Sequence, residues 1–263
     1  MDIINKEIDG GKAFDWGRAS SDYAKFRDIY PPIFYNKVVE RGLCIKGQKV
    51  LDLGTGTGVL PRNMYSFGAD WVGADISEGQ IEQAKRLAAE SNMDIKFITS
   101  PAEDIDFPDG SFDVITACQC FFYFDYDKVI PNISRMLKNG GKLVVLFMAW
   151  VPDEDEVARA SEELVLKYNP TWTGAGYKRA PVYIPEIAEK YFNIEIREEY
   201  DLMMPFTREA WNGRMKACRG IGASLTPAEI DSWEKEHKAL LEKIAPPEFE
   251  ILHHAAMAVL ERK

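Results

Sequence analysis

From Lys49 onward, short apolar runs alternate along the chain with segments of helical pattern. The apolar runs are KVLDL, WVGAD, IKFIT, FDVITA and KLVVLFM. Between the second and third runs, Ile81, Ala84 and Leu87 recur at helical spacing behind Ser77, which we expect to cap a helix. Strands that alternate with helices form parallel sheets with helices on both faces. The sequence therefore predicts an α/β fold.

Further helices and strands are predicted from local signals. A helix at about 126–137 is expected to end at KNGG, because glycine adopts the left-handed conformation favoured at helix ends. Beyond residue 150 we expect a helix at 155–168, an irregular segment, a half-exposed strand at 193–204 and a last strand from 253. Residues 207–244 are helical in pattern, and TPAE supplies a threonine cap with proline and glutamate behind it.

Charge and composition limit the partners of the chain. The 263 residues include 32 Lys and Arg against 42 Asp and Glu, a net charge of −10 with no basic cluster. Nucleic-acid backbones need clustered cations, so we expect a small-molecule partner and no nucleic acid. The longest apolar run, LVVLFMAWV, is far shorter than the roughly 20 residues of a membrane-spanning helix. With no signal-like N-terminus and no CxxC pair among four cysteines, we expect a cytoplasmic protein with reduced thiols and no metal.

The first strand runs into a loop with three glycines at alternate positions, Gly54, Gly56 and Gly58. Glycine permits a tight turn and a close approach of ligand to backbone. The dinucleotide fingerprint G-x-G-x-x-G fails here, because Val59 stands three residues after Gly56. Asp52 would repel a pyrophosphate but attract a cation such as a sulfonium. The loop therefore predicts a cationic ligand.

The second strand ends at Asp75, 21 residues after Gly54. An acid about 20 residues beyond such a loop typically binds ribose hydroxyls in nucleotide-binding α/β folds. The alternative is a solvated acid at a strand end. Together with the loop, Asp75 indicates an adenosine that carries a positive group.

Four segments occur in the order VLDLGTGTG, GADIS, PAEDIDFPDGSFDVI and MLKNGGKLVV. In these the sequence resembles the class I S-adenosylmethionine-dependent methyltransferases, in particular the small-molecule branch with the ubiquinone and menaquinone biosynthesis enzymes. The resemblance implies a Rossmann-like, seven-stranded, mostly parallel sheet with a C-terminal antiparallel hairpin. Added to it are helical lid insertions. The expected parts are an N-terminal lid with first helices (1–45), an S-adenosylmethionine-binding core (46–150), and lid insertions with C-terminal strands of the same domain (151–263).

The resemblance also implies a set of cofactor-binding residues. They are Tyr23, Arg27, Asp52, Gly54, Thr55, Gly56, Gly58, Asp75, Ile76, Ala102, Glu103 and Cys118. Tyr23 and Arg27 match the spacing of a family lid that closes over the methionine carboxylate; the alternative is a surface helix pair. Many relatives have an acid for the adenine amino group where this chain has Pro101. We expect backbone N–H groups of Ala102 and Glu103 to meet the ring instead, with the Glu103 side chain as substitute or as an exposed acid.

The acceptor side is aromatic. CQCFFYF follows the fourth strand where many relatives have a histidine, and no strong base is evident. The predicted acceptor contacts are Phe121, Tyr123, Trp150, Trp172 and Trp211, although each tryptophan also suits a lid core. Of His253 and His254, one should face inward by strand alternation, as a core residue or a base.

The predicted function is methyl transfer from S-adenosylmethionine to a small molecule. A non-catalytic S-adenosylmethionine-binding sensor or scaffold is the first alternative, because no base is evident. The second is methylation of a soft metalloid held by the thiols of Cys118, Cys120 and Cys218.

Overall fold

A computed structural model describes residues 8–28 and 30–263, with all their side chains except those of Ser21 and Tyr23. Seven strands form one sheet. They are β1 (Lys49–Leu53), β2 (Asp70–Asp75), β3 (Lys96–Thr99), β4 (Phe112–Cys118), β5 (Leu137–Trp150), β6 (Phe192–Thr207) and β7 (Glu248–Arg262). Their order is β3-β2-β1-β4-β5-β7-β6. The first five pair in parallel and the last two are antiparallel, which confirms the predicted seven-stranded, mostly parallel sheet.

Helices alternate with the parallel strands as the sequence pattern predicts. They are α1 (Ser20–Phe26), α2 (Pro32–Val39), α3 (Val59–Met64), α4 (Glu78–Glu90), α5 (Tyr126–Met136), α6 (Glu156–Tyr168), α7 (Arg208–Lys216) and α8 (Pro227–Ile244). The predicted start of α8 is confirmed in detail. Thr226 Oγ1 accepts from the Glu229 N–H, and the Glu229 carboxylate accepts from the Thr226 N–H.

Two helices begin or end close to the predicted residue, but without the predicted capping interaction. Ser77 precedes α4, but its side chain makes no capping hydrogen bond among the described residues; its N–H donates to Asp75 Oδ1 instead, at 2.9 Å. The helix α5 ends at Met136, where Leu137 turns directly to extended backbone to enter the sheet. Gly140 of KNGG is left-handed, with φ 72°, but it lies inside β5. Strand pairing therefore ends this helix without a glycine.

The chain falls into two compact units. The helical unit holds 8–28, 149–179 and 201–254 of the described residues, and the sheet unit holds 30–148, 180–200 and 255–263. Each has its own apolar core. In the sheet unit, Leu51, Ile115 and Val145 are buried with Ile130 of α5. In the helical unit the core is aromatic, with buried Trp150, Trp172, Trp211 and Trp233.

Candidate functional site

The glycine loop lies where the strand order of the sheet reverses. β1 pairs in parallel with β2 on one side and with β4 on the other. In open α/β sheets, ligands bind outside the carboxyl ends of the strands at such a point. Gly54, Gly56 and Gly58 leave β1 with φ values of 62°, 57° and 72°, and α3 begins at the next residue. The sheet thus presents a left-handed, glycine-built turn at the expected binding edge.

Neighbours within the protein require two of these glycines. A Cβ at Gly54 would lie 2.6 Å from both Cβ and Sγ of Cys120. A Cβ at Gly58 would lie 2.9 Å from the ring of Phe97. From the sequence, glycine was predicted here for a tight turn and for ligand approach. At these two positions, packing and backbone conformation already account for glycine.

Asp75 ties this loop to the end of β2. Its Oδ2 accepts from the Gly56 N–H and its Oδ1 from the Ser77 N–H, both at 2.9 Å. Burial raises the pKa of Asp75, and the two backbone hydrogen bonds oppose that rise. Each carboxylate oxygen has a second lone pair, so the group still accepts from a diol. Ile76, between the two anchored residues, is half-buried.

Asp52 faces the interior of the sheet unit. It is 1% exposed, and the Thr116 hydroxyl of β4 donates to its Oδ1 at 2.6 Å. Burial raises the pKa of Asp52 to about 7, against the effect of the Thr116 hydrogen bond, and the nearby charge of Asp75 adds to the rise. Thr55 of the loop is also buried. The Asp52 side chain is therefore buried within the sheet and held by β4.

The loop after β3 forms a short 3₁₀ helix, Ala102–Asp104, which begins behind Pro101. Glu103 Oε1 accepts from the Asp125 N–H at 2.9 Å, at the start of α5. The Glu103 side chain thus holds that helix end. Cys118, the last residue of β4, is half-buried.

Tyr23 and Arg27 belong to the N-terminal part of the helical unit. Tyr23 lies in α1, its side chain outside the described part of the structure, and Arg27 follows the end of that helix. The surrounding segment is packed: Phe14 is 1% exposed, and the Phe26 ring lies against Gly213 of α7. This part of the chain thus has a protein surface beneath it without any ligand.

The aromatic segment after β4 divides into buried and exposed rings. Phe121 is 4% exposed and packs against Phe124 and Tyr126 in the core of the sheet unit. Phe122 is 48% exposed, with its ring centroid 4.3 Å from that of Tyr123. The sequence analysis named Phe121 and Tyr123 and missed Phe122. The 3₁₀ geometry of Phe121–Tyr123 decides which ring faces outward, and no periodicity in FFYF reveals it.

The three tryptophans predicted at the acceptor all lie in the core of the helical unit. Trp150 Nε1 donates to Glu162 Oε1 at 2.6 Å, and Trp211 Nε1 donates to Ser161 Oγ at 2.9 Å. The last strand, β7, begins at Glu248 and not at residue 253, and both histidines within it are buried because β7 lies between β5 and β6. His254 Nδ1 lies 2.8 Å from the Tyr177 hydroxyl.

The described residues contain neither a membrane-spanning helix nor a metal-binding cluster. No helix among them is both long and apolar enough to cross a membrane. In the same residues, no three His, Cys, Asp or Glu side chains are grouped so as to hold a metal ion. Cys218 is buried in the helical unit beside Arg214, whereas Cys118 and Cys120 belong to the sheet unit.

Comparison with known proteins gives the family. A model described as "Methyltransferase domain" matches residues 51–145. Demethylmenaquinone methyltransferase of Thermus thermophilus is 32% identical to this chain, and the matched region covers 55% of this chain and 59% of that enzyme. In fold, the chain is similar to phosphoethanolamine N-methyltransferase 2 of Haemonchus contortus, solved with phosphomonomethylethanolamine and S-adenosylhomocysteine. The TM-score is 0.54 at 22% identity, over 92% of this chain and 57% of that one.

The chain thus spans little more than half the length of the Thermus relative. Ubiquinone biosynthesis O-methyltransferase of Pseudomonas entomophila is matched further, with 31% identity over 61% of this chain and 69% of its own. Because a methyltransferase is matched at this identity over more than two thirds of its length, the chain belongs to the class I S-adenosylmethionine-dependent methyltransferases.

Proposed function

We propose that this protein transfers a methyl group from S-adenosylmethionine to a small-molecule acceptor. The observation that carries the proposal is the hydrogen bond from the Gly56 N–H to Asp75 Oδ2. It joins the glycine loop to the acid at the point where the strand order reverses. Family membership and the small-molecule methyltransferases among the relatives support the same reaction.

The donor groups at this edge suit the proposed cofactor. Asp75 offers a fixed carboxylate for the ribose diol, and Asp52 a buried acid that favours a cation over a phosphate chain. The backbone at Ala102 and Glu103 would meet the adenine. The remaining contacts proposed for the cofactor are Gly54, Thr55, Gly56, Gly58, Ile76 and Cys118, with Tyr23 and Arg27 for the methionine carboxylate.

The protein's part in the reaction is chiefly alignment. S-adenosylmethionine supplies a methyl group that its sulfonium already activates. The chain has to hold donor and acceptor in line and exclude water, which lowers the barrier by several kcal/mol. A base is needed only for an acceptor that must lose a proton. Of the predicted acceptor contacts in the sheet unit, half-buried Tyr123 can contact the acceptor, whereas Phe121 fills the core.

Charge and sequence support the remaining parts of the proposal. A net charge of −10 favours a small acceptor over a nucleic acid. We place the reaction in the cytoplasm.

Binding of S-adenosylmethionine and S-adenosylhomocysteine, measured by calorimetry and thermal shift, tests the cofactor. A ligand at 100 times its Kd should stabilise the fold by about 2.7 kcal/mol, which raises Tm by several degrees. Asp75→Ala should weaken binding at least about tenfold, the loss expected for a hydrogen-bonded charged group. Asp70→Ala, at the exposed opposite end of β2, is the matched control and should bind normally. A shift with NAD and none with either S-adenosyl compound would refute the proposal.

Catalysis needs a separate measurement. The protein is incubated with methyl-labelled S-adenosylmethionine and a metabolite extract, and labelled small molecules are sought by chromatography. A labelled product that Asp75→Ala fails to form shows methyl transfer. Donor binding without any product favours the non-catalytic sensor or scaffold.

A further inference from the structure

A strained turn follows β4 and places Cys120 under the glycine loop. Gln119 is left-handed, with φ 64°, a rare conformation for a residue other than glycine. Its N–H donates to the Leu146 carbonyl at 2.9 Å and its side-chain amide donates to the Met148 carbonyl, so β5 holds the turn. Backbone strain of this kind persists where the surroundings enforce it, and it occurs often at functional sites.

The Cys120 side chain makes two contacts at the base of the loop. Its Sγ donates to the Leu53 carbonyl at 3.0 Å. Its Cβ and Sγ fill the space where a side chain at Gly54 would point. Burial, followed by the charge of Asp52, raises the pKa of Cys120, so the thiol keeps the proton that it donates.

The same residue begins the turn that carries the exposed ring. The Cys120 carbonyl accepts from the Tyr123 N–H at 2.9 Å, which closes the 3₁₀ helix Phe121–Tyr123. Phe122 extends from this helix, and its ring lies 6.2 Å from that of Phe147 on β5. One residue therefore contacts the donor loop through its side chain and the aromatic turn through its backbone.

We propose that Cys120 is a positioning residue that couples the donor-binding glycine loop to the acceptor-facing turn at residues 121–123. The proposal rests on the proposed function. An acceptor that displaces the turn moves the Cys120 backbone, and its packed side chain transmits this movement to Leu53 and Gly54.

A double-mutant cycle tests the coupling. Gly54→Ala should weaken S-adenosylmethionine binding at least about tenfold, because its Cβ meets Cys120 in a left-handed backbone. In a Cys120→Gly background the obstructing atoms are absent, and Gly54→Ala should then cost at least about fivefold less. If Cys120→Gly does not fold, Cys120→Ala replaces it; because alanine removes Sγ but keeps the clashing Cβ, the expected reduction in cost is then smaller. Additive effects on Kd would overturn the proposal.

Cys120→Ser and Cys120→Ala separate positioning from simple packing. Serine keeps both the Cβ and a donor for the Leu53 carbonyl, so it should restore kcat and donor KM that alanine impairs, with the labelled-donor extract assay as readout. If Cys120 were merely structural, Cys120→Ala would lower Tm but leave Kd, kcat and the donor KM unchanged. Cys218→Ala, in the core of the helical unit, is the matched control and should lower Tm alone. If the unmodified protein binds no S-adenosylmethionine, the proposed function itself is wrong. If it binds normally but the effects of the two substitutions are additive, only the proposed role of Cys120 is wrong.

Discussion

At the scale of single residues, the acids at the strand ends differ from what their sequence positions indicate. From the sequence, Asp52 was predicted to favour a cation and Asp75 to bind a ribose, but nothing local indicated that Asp52 is buried. Its burial depends on Thr116, which is 64 residues away in the sequence and becomes a neighbour only through the pairing of β1 with β4. A contact set by strand pairing leaves no local signal.

Asp52 should make donor binding depend on pH. The groups that share its electrostatic environment, Asp75 on β2, Cys44 before β1 and Cys120 after β4, are all acids. With a pKa of about 7, Asp52 loses its negative charge as the pH falls from 8 to 6. Both ligands carry the same ammonium and carboxylate, so the comparison isolates the sulfonium, which is a neutral thioether in S-adenosylhomocysteine. The affinity for S-adenosylmethionine divided by that for S-adenosylhomocysteine should therefore fall about fivefold from pH 8 to pH 6, equivalent to about 1 kcal/mol of Coulomb energy.

Calorimetry of both ligands at pH 6, 7 and 8 measures this ratio. Asp52→Asn keeps the hydrogen bond from Thr116 but has no titrating charge, so its ratio should not vary with pH. A ratio in the unmodified protein as flat as that of the variant would show that Asp52 does not act on the sulfonium.

At the scale of elements, apolar periodicity predicted the strands and long helices because each repeats one face over several residues. The capping box at Thr226 was predictable because the four consecutive residues TPAE define it. The turn Phe121–Tyr123 was not, since three adjacent aromatic residues fit any orientation. Similarly, the end of α5 depends on Leu137, which pairs with Phe112 of β4.

The two rings of this turn should respond differently to truncation. Phe121→Ala leaves a cavity in the core of the sheet unit and should lower the free energy of unfolding by about 3–5 kcal/mol. Phe122→Ala removes a half-exposed ring, so stability and S-adenosylmethionine Kd should stay near normal while the acceptor KM rises. Urea unfolding and kinetics with the extract fraction that the unmodified protein methylates check both. An unchanged acceptor KM in Phe122→Ala would exclude this ring from the acceptor site.

At the scale of the whole molecule, His237, His253 and His254 are all buried in the helical unit, whereas the acid Asp52 is buried in the sheet unit. In the helical unit, His237 lies 2.9 Å from Asn212 Oδ1 and 3.0 Å from Ser161 Oγ, and thereby links α8 to α7 and α6. Burial lowers the pKa of His237 to about 3 and that of His253 to about 4. In the sheet unit, burial raises the pKa of Asp52 to about 7. The alternation of elements did not predict this division, because the chain passes between the units several times.

The helical unit should therefore lose stability in acid. Between pH 6.5 and about 3, His237 binds a proton in the unfolded protein but stays neutral in the folded protein, so the free energy of unfolding decreases as the pH falls. At pH 5 the loss from His237 alone is on the order of 2 kcal/mol. Asp52 has the opposite sign: above about pH 4 its unfolded form ionises more readily, so its contribution to stability falls as the pH rises toward 7.

Urea unfolding followed by tryptophan fluorescence at pH 5 and 7 tests the first effect. The signal reports mainly on the helical unit, which contains Trp16, Trp150, Trp172, Trp211 and Trp233, whereas the sheet unit contains Trp71. His237→Gln should show a smaller difference between the two pH values. A difference between pH 5 and pH 7 that is the same in His237→Gln as in the unmodified protein would contradict the assignment of a neutral, buried His237.

The packing of Cys120 against Gly54 and of Phe97 against Gly58 has a consequence for how such chains change over generations. Selection for folding alone retains glycine at both positions, because any replacement must distort the sheet edge. A descendant that had stopped transferring methyl groups would still carry the same loop. The glycines of the loop therefore reflect ancestry and fold. Loss of the activity would first lead to substitutions at positions that folding does not constrain, such as the exposed ring of Phe122.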